Sequence, residues 1–354
     1  MKIILVLDYY YPNVGGVEKL FKQLAEELVK RGNTVRIITS RISKKLPKYE
    51  LINGVEVIRT SFINRFLFTF LSVFKIYNSS KHFDLIHTTS YNAAFPAFIV
   101  SKLRGKKCII TFHEIWGNLW FKLPYLNRIE SFLFWTYEKF ILALPFDFWV
   151  AVSNFTLSKL KNKNNAVRIY NGINYAPLKK QTVLKFDFVY FGRLGVSKGL
   201  DILMEAAILF KTYHSDFKIL LIVPKTDNRI IRELKNQIIK NQLLKNIFFE
   251  HNLRENELEE YLLSSSCTIV PSYCEGFCFA AVEAISLGIP VISSGNGALP
   301  EVVSGKHIIF DPFCSESLFN SMIDAKKQNW INTPIKKFNL NETVEQYLEL
   351  YRRL

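Results

Sequence analysis

Short apolar runs that alternate with helical segments constrain the fold of this 354-residue chain more than any other feature. The first run, at 3–7, leads through a glycine loop into a helical segment of about 18–31, in which Leu20, Leu24 and Leu28 share one face. Short and uniformly apolar runs are typical of strands that are buried on both faces of a parallel sheet. Repeated strand–helix units therefore predict an α/β protein whose helices cover parallel sheets.

The units fall into two series, which predicts two domains. The predicted strands lie at 3–7, 34–39, 85–87, 108–111 and 148–152 and then at 188–191, 217–223, 247–250, 267–271, 290–293 and 307–310. Asn53-Gly54 in the first series predicts a hairpin turn. A lysine-rich stretch with Pro177 separates the series. We predict two Rossmann-like domains with parallel sheets facing across a cleft, at 1–172 and 187–335, joined by a linker at 173–186.

Two glutamates surround a predicted strand-to-helix turn in the second series. Glu275 and Gly276 fall on the loop after strand 267–271, and Glu283 falls about one turn into the helix that follows. A helix N-terminus offers backbone N–H groups that suit a phosphate or a sugar hydroxyl, and carboxylates accept hydrogen bonds from vicinal hydroxyls. Taken alone, this spacing is common, and the helix dipole by itself favours a Glu near the N-terminus.

A second anchor precedes the glutamates. The strand 188–191 ends in Gly192-Arg193, and Lys198-Gly199 closes the loop before the next helix. Arg offers a planar fork and Lys a point charge, and both suit a diphosphate. In an open α/β sheet the ligand crevice lies at this edge. The alternative is that both are solvated surface cations near a turn.

Together these segments resemble the donor-binding half of the GT4-type retaining glycosyltransferases, which have the GT-B fold. The resemblance rests on the following segments, in this order: Gly192-Arg193-Leu194, Lys198-Gly199, Glu275-Gly276-Phe277, Glu283-Ala284 and 288–292. Further segments resemble other parts of the family: 13–18 its N-terminal glycine loop, 111–114 its central histidine segment, 152–153 and 170–174 its interdomain region, and 299–303 the stretch after the donor helix. The resemblance covers nearly the whole chain.

The resemblance implies a retaining glycosyltransferase. Such an enzyme moves a hexosyl group from a nucleotide-diphosphate-sugar, with UDP favoured over GDP, to a hydroxyl of a glycan or lipid-linked acceptor in cell-surface glycan or glycolipid assembly. The first domain would bind the acceptor and the second the donor, and the tail at 336–354 would pack back on the first. No metal and no cofactor are expected.

The resemblance also assigns roles to the charged residues. Arg193 and Lys198 would hold the donor diphosphate and neutralise the charge that develops on the leaving group. Glu283 would accept hydrogen bonds from the ribose hydroxyls. Glu275 would lie near the donor sugar and bind its hydroxyls.

The remaining implied site residues act through backbone groups or one imidazole. Gly276 and the backbone N–H groups around Phe277, Cys278 and Phe279 would add phosphate or sugar contacts. Gly15 and Gly16 would let the backbone approach the reacting centre, and His113 would lie near the transferred sugar.

The chain departs from the family pattern at several positions. Cys278 stands where a glycine is usual, and Asn174 replaces a common Asp. The loop Pro224-Lys225-Thr226 lacks the usual glycines and borders the nucleotide site, so UDP and GDP both stay open. Fold does not fix function, so a nucleotide-sugar epimerase, another GT-B enzyme or a non-catalytic carbohydrate-binding protein are alternatives.

The charge is concentrated in the first half. Residues 1–170 hold 25 Lys and Arg against 11 Asp and Glu, a net charge of +14 within the +15 of the whole chain. The segments 62–75 and 116–149 combine these cations with Phe and Trp. This combination suits an anionic membrane surface, although the aromatics could instead fill a core. No nucleic-acid recognition module is visible, so no nucleic acid is expected.

The expected location is cytoplasmic, with peripheral association with the membrane face. The apolar run at 3–7 is too short for a signal peptide, and no run of about 18 apolar residues predicts a membrane-spanning helix. The five cysteines lack zinc spacing and suit a reducing compartment.

Overall fold

A computed structural model describes residues 1–13, 15–61, 65–175, 183–226 and 229–354. The chain divides into two compact units. The first comprises Met1–Trp120, Arg128–Gly172 and Phe338–Leu354, and the second comprises Phe121–Asn127 and Ile173–Lys337. Each unit is built on one mostly parallel sheet, so the predicted α/β class is confirmed.

The first unit contains an eight-stranded sheet in the order β3-β4-β2-β1-β5-β6-β7-β8. Its strands are β1 Lys2–Leu7, β2 Thr34–Thr39, β3 Tyr49–Ile52, β4 Val55–Arg59, β5 Leu85–Thr89, β6 Lys107–Phe112, β7 Phe148–Ala151 and β8 Ala166–Arg168. Its first six helices are α1 Gly16–Lys30, α2 Arg65–Leu71, α3 Val73–Ser79, α4 Ala94–Arg104, α5 Arg128–Ala143 and α6 Asn154–Ser158. The central strand β1 is buried from its second residue onward, as its uniformly apolar sequence predicts.

The second unit contains a seven-stranded sheet in the order β11-β10-β9-β12-β13-β14-β15. Its strands are β9 Phe186–Phe191, β10 Ile219–Ile222, β11 Ile247–Glu250, β12 Ser265–Val270, β13 Val291–Ser294, β14 Gly305–Phe310 and β15 Ile331–Thr333. Its helices are α7 Leu200–Tyr213, α8 Arg229–Lys240, α9 Glu255–Leu263, α10 Phe279–Ser286, α11 Leu299–Val302 and α12 Ser315–Lys326. A last helix, α13 Leu340–Arg352, belongs to the first unit.

The predicted hairpin is confirmed. Strands β3 and β4 pair antiparallel, with Ile52 opposite Val55. Asn53 and Gly54 both have positive φ, at 48° and 82°. That backbone matches the twist of the flanking strands, and Asn-Gly adopts it readily.

Some elements received no prediction. The strand β15 lies antiparallel at the sheet edge and has no buried residue, so its sequence carries no apolar alternation. The short strand β8 and helices α8, α9 and α12 were also not predicted. Within the predicted linker 173–186, residues 176–182 lie outside the described residues, as do 62–64 of the aromatic segment and Val14 of the glycine loop.

Helix α13 is held to the first sheet by a buried polar network. His87 on β5 shares a hydrogen bond of 2.7 Å with the Tyr351 hydroxyl and one of 2.8 Å with Thr111 on β6. The Thr111 hydroxyl lies 3.0 Å from that of Tyr347. All four side chains are buried. Breaking one of these hydrogen bonds would leave a polar group without a partner and without water, which costs more free energy than breaking an exposed hydrogen bond.

The same burial controls the charge of His87. Desolvation lowers the pKa of His87 to about 3, with His113 adding a smaller effect in the same direction. The imidazole is therefore neutral throughout the physiological range and acts as a structural hydrogen-bonding group.

None of the described helices is long and apolar enough to cross a bilayer.

Stability is expected to fall as the pH drops below the unfolded-state pKa of His87. Between about pH 6.5 and pH 3, His87 binds a proton in the unfolded chain but not in the folded one. Each unit by which the pH falls therefore lowers the free energy of unfolding by about 1.4 kcal/mol. Urea midpoints followed by tryptophan fluorescence report on the first unit, because it holds four of the five Trp.

The variant His87→Gln is expected to flatten the pH dependence over that range, whereas replacing the exposed His82 by Gln should leave it intact. An unchanged slope in His87→Gln would show that His87 is not the titrating group.

Candidate active site

The order of strands in the second sheet reverses between β9 and β12. From β9 the chain continues outward through β10 to β11, and from β12 it continues through β13 to β14 on the other side. In open α/β sheets, such a switch point leaves a crevice at the carboxyl ends of the two strands. The loops 192–199 and 271–278 follow these two strands, so Arg193, Lys198 and Glu275 share this edge.

An ion pair joins the two loops. The Lys198 Nζ atom lies 2.8 Å from Glu275 Oε1, and the Ser272 hydroxyl donates to the same oxygen at 2.6 Å. Glu275 is buried and Lys198 is half-buried. Removing one partner of a buried pair leaves the other charge uncompensated, which typically costs about 3–5 kcal/mol, so the pair fixes the loops against each other.

The loop that carries Glu275 is also fixed through its backbone. The Tyr273 N–H donates to the Ser197 carbonyl at 2.8 Å, and the Ala298 N–H donates to the Glu275 carbonyl at 2.8 Å. The Asn296 amide donates to the Tyr273 carbonyl at 2.7 Å. The loops after β9 and β13 therefore hold the Glu275 loop from both sides.

Two glycines allow this close packing. A Cβ atom on Gly199, which has φ +63°, would lie 1.9 Å from the Pro271 carbonyl oxygen. A Cβ atom on Gly297, which has φ +70°, would lie 2.3 Å from the Glu275 carbonyl oxygen. Both contacts are with backbone atoms that cannot move aside, so only glycine fits at either position.

Helix α10 starts at this edge. Cys278 precedes its first residue with φ 79°, a conformation that glycine adopts without strain. Among the described residues, no side chain caps the first turn of α10, whose N–H groups point toward the start of the helix. Glu283 is half-buried one turn into α10. Burial raises the pKa of the Cys278 thiol, so this group stays neutral and is a poor nucleophile.

The other predicted donor residues lie around the same loops. Arg193 is exposed, and its carbonyl accepts a hydrogen bond of 2.8 Å from the buried Tyr190 hydroxyl. Gly276 and Phe277 are buried, and the Phe277 ring packs edge-on against Phe279 at 5.4 Å between centroids. The second unit therefore brings together eight predicted residues: Arg193, Lys198, Glu275, Gly276, Phe277, Cys278, Phe279 and Glu283.

The three remaining predicted residues belong to the first unit. Gly15 precedes α1 in an extended conformation, with φ −170°, and Gly16 is the first residue of that helix. Extended backbone is open to any residue, so the conformation of Gly15 does not itself require glycine. His113 follows β6 and is half-buried, with the Phe21 ring 6.0 Å away.

The sequence did not single out several residues that shape this site. Ser272 binds Glu275, Asn296 and Gly297 support its loop, and the Tyr273 hydroxyl donates to the Asp201 carboxylate. The tripeptide Gly295-Asn296-Gly297 directly after a strand is a turn signal that could have indicated the third loop. Nothing in the sequence pairs Tyr273 with Asp201, since these residues are far apart in the chain. Across the described residues, no three His, Cys, Asp or Glu side chains converge as metal ligands.

Two family models match the chain in succession. Residues 14–176 match Glycosyltransferase Family 4, and residues 178–342 match Glycosyl transferases group 1. The chain belongs to the GT4-type glycosyltransferases. The predicted family is thereby confirmed, and the matches support glycosyltransferase activity.

Relatives from distant organisms agree with this family. An uncharacterized glycosyltransferase of Methanocaldococcus jannaschii is 28% identical over 309 residues, which is 85% of this chain and 81% of that protein. One component of the human phosphatidylinositol N-acetylglucosaminyltransferase is 24% identical over 319 residues, which is 87% of this chain and 64% of that protein.

Solved structures confirm the GT-B fold. Sucrose-phosphate synthase from Thermosynechococcus elongatus superposes with a TM-score of 0.83 at 20% identity, covering 100% of this chain and 99% of its own. Anabaena HepE in complex with UDP-glucose superposes with a TM-score of 0.73 at 17% identity. The match covers 99% of this chain and 100% of the HepE chain.

Replacing Gly199 by Ala is expected to destabilise the second unit strongly. A left-handed conformation costs an L-residue about 1–2 kcal/mol, and overpacking against the Pro271 carbonyl should add about 1–3 kcal/mol. The midpoint of thermal unfolding, followed by circular dichroism, measures the effect.

Gly305→Ala is the matched control, because Gly305 has φ +70° in the same unit but has room for a side chain. The atom nearest to the new Cβ would be Ile335 Cγ1, at 3.5 Å. Equal midpoints for the two variants would contradict the close backbone approach at Gly199.

Proposed function

We propose that this glycosyltransferase moves a hexosyl group from a UDP-sugar to a hydroxyl of a glycan or lipid-linked acceptor, with retention of anomeric configuration. The observation that carries the proposal is the Lys198–Glu275 pair, which lies with Arg193 at the switch point of a parallel sheet. Cations, a carboxylate and a helix N-terminus at one crevice match the parts of a sugar diphosphate.

In this proposal the diphosphate binds between the two cations and the start of α10. Arg193 presents a planar fork of donors, and the ammonium of Lys198 can donate to Glu275 and to a phosphate oxygen at once. As the bond between the sugar and the diphosphate breaks, negative charge grows on the leaving oxygens. Fixed cations that need no rearrangement stabilise that charge, so the proposed reaction requires no metal and no cofactor.

The two glutamates bind opposite ends of the donor in this proposal. The Glu275 carboxylate, held by Lys198 and Ser272, accepts hydrogen bonds from hydroxyls of the sugar and lies close to its anomeric carbon. Glu283, one turn into α10, accepts hydrogen bonds from the ribose hydroxyls. Gly276 and the backbone of Phe277, Cys278 and Phe279 complete the donor contacts.

The acceptor hydroxyl is the nucleophile in the proposed step. Its oxygen bonds to the anomeric carbon on the face from which the diphosphate leaves, and its proton passes to a leaving phosphate oxygen. The result is retention without a covalent enzyme intermediate. Gly15, Gly16 and His113 are proposed to contact the transferred sugar.

Relatives support the choice of donor and acceptor classes. HepE, which shares the fold, has been solved with UDP and with UDP-glucose, which favours UDP as the nucleotide. The human relative is named for a phosphatidylinositol acceptor, which favours a lipid-linked acceptor here. None of the five cysteines, all of which are among the described residues, forms a disulfide; this suits a reducing compartment, so we place the reaction in the cytoplasm at a membrane face.

Glu283→Ala is expected to weaken UDP binding ten- to hundredfold, because loss of hydrogen bonds to a charged acceptor costs about 1.5–3 kcal/mol. Isothermal titration with UDP measures this change. The exposed Glu260 on α9 is the control, and its replacement by Ala should leave the affinity unchanged. Equal affinities for wild type and Glu283→Ala would remove the ribose role.

Arg193→Ala and Lys198→Met are each expected to slow sugar transfer by about 10²- to 10³-fold, since each removes one cation from the leaving group. Transfer is measured as UDP release with acceptor, and the wild-type rate should be the same with EDTA. Replacing the exposed Lys235 by Ala controls for loss of surface charge.

The double variant Lys198→Met, Glu275→Gln tests whether transfer is lost without loss of the fold. This pair of changes leaves no uncompensated buried charge, so the fold should persist while transfer stays lost. Near-wild-type turnover in either cation variant would refute the diphosphate role.

A further inference from the structure

Helix α5 exposes an apolar face to solvent. Ile129, Phe132, Leu133 and Phe140 are all exposed, with Ile129 at 73%, and they recur at the spacing of one helix face. The buried residues of α5 are Ser131, Glu138 and Ile141. The helix therefore exposes a row of large apolar side chains while it buries a carboxylate, whereas an ordinary surface helix exposes its polar side chains.

The buried carboxylate of Glu138 explains the orientation. Glu138 is 1% exposed and accepts hydrogen bonds from the backbone N–H groups of Trp116 at 2.9 Å and Gly117 at 2.7 Å. The Trp120 indole donates to it at 3.2 Å and the Tyr91 hydroxyl at 3.0 Å. Rotating α5 to bury its phenylalanines would strip four donors from a charged group, which is far costlier than leaving those rings in water.

Helices α2 and α3 expose a second row of aromatic side chains. Phe66, Phe70 and Phe74 recur every four residues and are all exposed, with Phe74 at 77%. The inner side of the same segment buries Phe68 and Ile76 in the core, together with Thr69 and Ser72. Large apolar side chains therefore lie on both sides of this segment, and the outer row remains uncovered.

The two rows meet through Phe95 on α4. The Phe95 ring lies 6.4 Å from that of Phe70 and 5.7 Å from that of Phe140, measured between centroids. The rows therefore form one continuous surface, which we call the aromatic face. It is defined by Phe66, Phe70, Phe74, Ile129, Phe132 and Phe140.

Cations border the aromatic face. Lys75 follows Phe74, Arg128 precedes Ile129 and Lys139 precedes Phe140, and all three are exposed. In the helical segments 65–79 and 128–143 the sequence contains two acidic residues, Glu130 and the buried Glu138. Exposed aromatics bordered by cations, on a unit with a large positive charge, match the boundary between lipid headgroups and acyl chains in an anionic membrane.

We propose that the aromatic face inserts peripherally into an anionic lipid bilayer and thereby brings the enzyme to a lipid-linked acceptor. Large exposed apolar patches on otherwise soluble surfaces mark interaction sites, and the bordering cations select negatively charged lipid. The choice of acceptor rests on the proposed function, whereas the membrane contact itself does not.

The test is co-sedimentation of the full chain with vesicles of phosphatidylcholine alone or with about 30% phosphatidylglycerol. Wild type should partition onto the anionic vesicles and be released by high salt. Phe70→Ser with Phe132→Ser should lower the partition coefficient at least about tenfold, and Lys75→Glu with Lys139→Glu should do the same. Leu51→Ser is the matched control, because Leu51 is 64% exposed but lies on the edge strand β3, outside the helices that carry the aromatic face.

Three outcomes would overturn the proposal: no binding to either vesicle, binding that the Phe double variant does not change, or a concentration-dependent dimer that this variant abolishes. The last would assign the aromatic face to a second copy of the chain. UDP titration of the same variants separates the two proposals. If the Phe double variant loses vesicle binding but keeps its affinity for UDP, the aromatic face is confirmed as the membrane surface. If the wild-type protein binds vesicles but does not bind UDP, the proposed function is refuted and the membrane surface is not.

Discussion

The candidate active site at the carboxyl ends of β9 and β12 depends on the ion pair between Lys198 and Glu275. This ion pair joins loops that follow two adjacent strands, and it lies where the strand order reverses. The Glu275 carboxylate must keep its partner, since it is buried and would otherwise lack compensation. The close backbone packing of Gly199 against Pro271 follows from the same requirement, because these two loops must approach closely for the two side chains to meet.

Buried polar groups in the first unit are likewise paired, here by hydrogen bonds. His87 is neutral and satisfied by two hydroxyls, and this network holds α13 on the sheet. Glu138 is buried with four donors, which fixes the orientation of α5. The exposed aromatic rings are the consequence of that choice: the helix cannot satisfy Glu138 and bury its phenylalanines together. The hydrogen bonding of this one carboxylate thus accounts for the part of the proposed membrane surface that α5 contributes.

The sequence predicted the features that depend on local patterns. Short apolar runs predicted β1 and β11 closely, and Asn53-Gly54 predicted the hairpin, because these signals lie within a few residues. It also placed Arg193, Lys198 and Glu275 on loops after strands. The contact between Lys198 and Glu275 could not be predicted, since it depends on β9 and β12 being neighbours in the sheet.

The aromatic face was predictable only in composition. The sequence shows that the segments 62–75 and 116–149 are rich in Phe, Trp and cations, but this composition fits a membrane surface and a filled core equally. Helix α5 has apolar residues on nearly every side, so its sequence pattern does not indicate which side is buried. The answer depends on Glu138 and its donors, three of which lie between Trp116 and Trp120 before the helix.

A crystal structure of the protein with UDP tests the central claim most directly, because it locates the nucleotide without relying on turnover. The account predicts diphosphate oxygens within hydrogen-bonding distance of Arg193, Lys198 and the first turn of α10, with the ribose hydroxyls on Glu283. Nucleotide bound away from the carboxyl ends of β9 and β12, or a diphosphate with no contact to either cation, would contradict it.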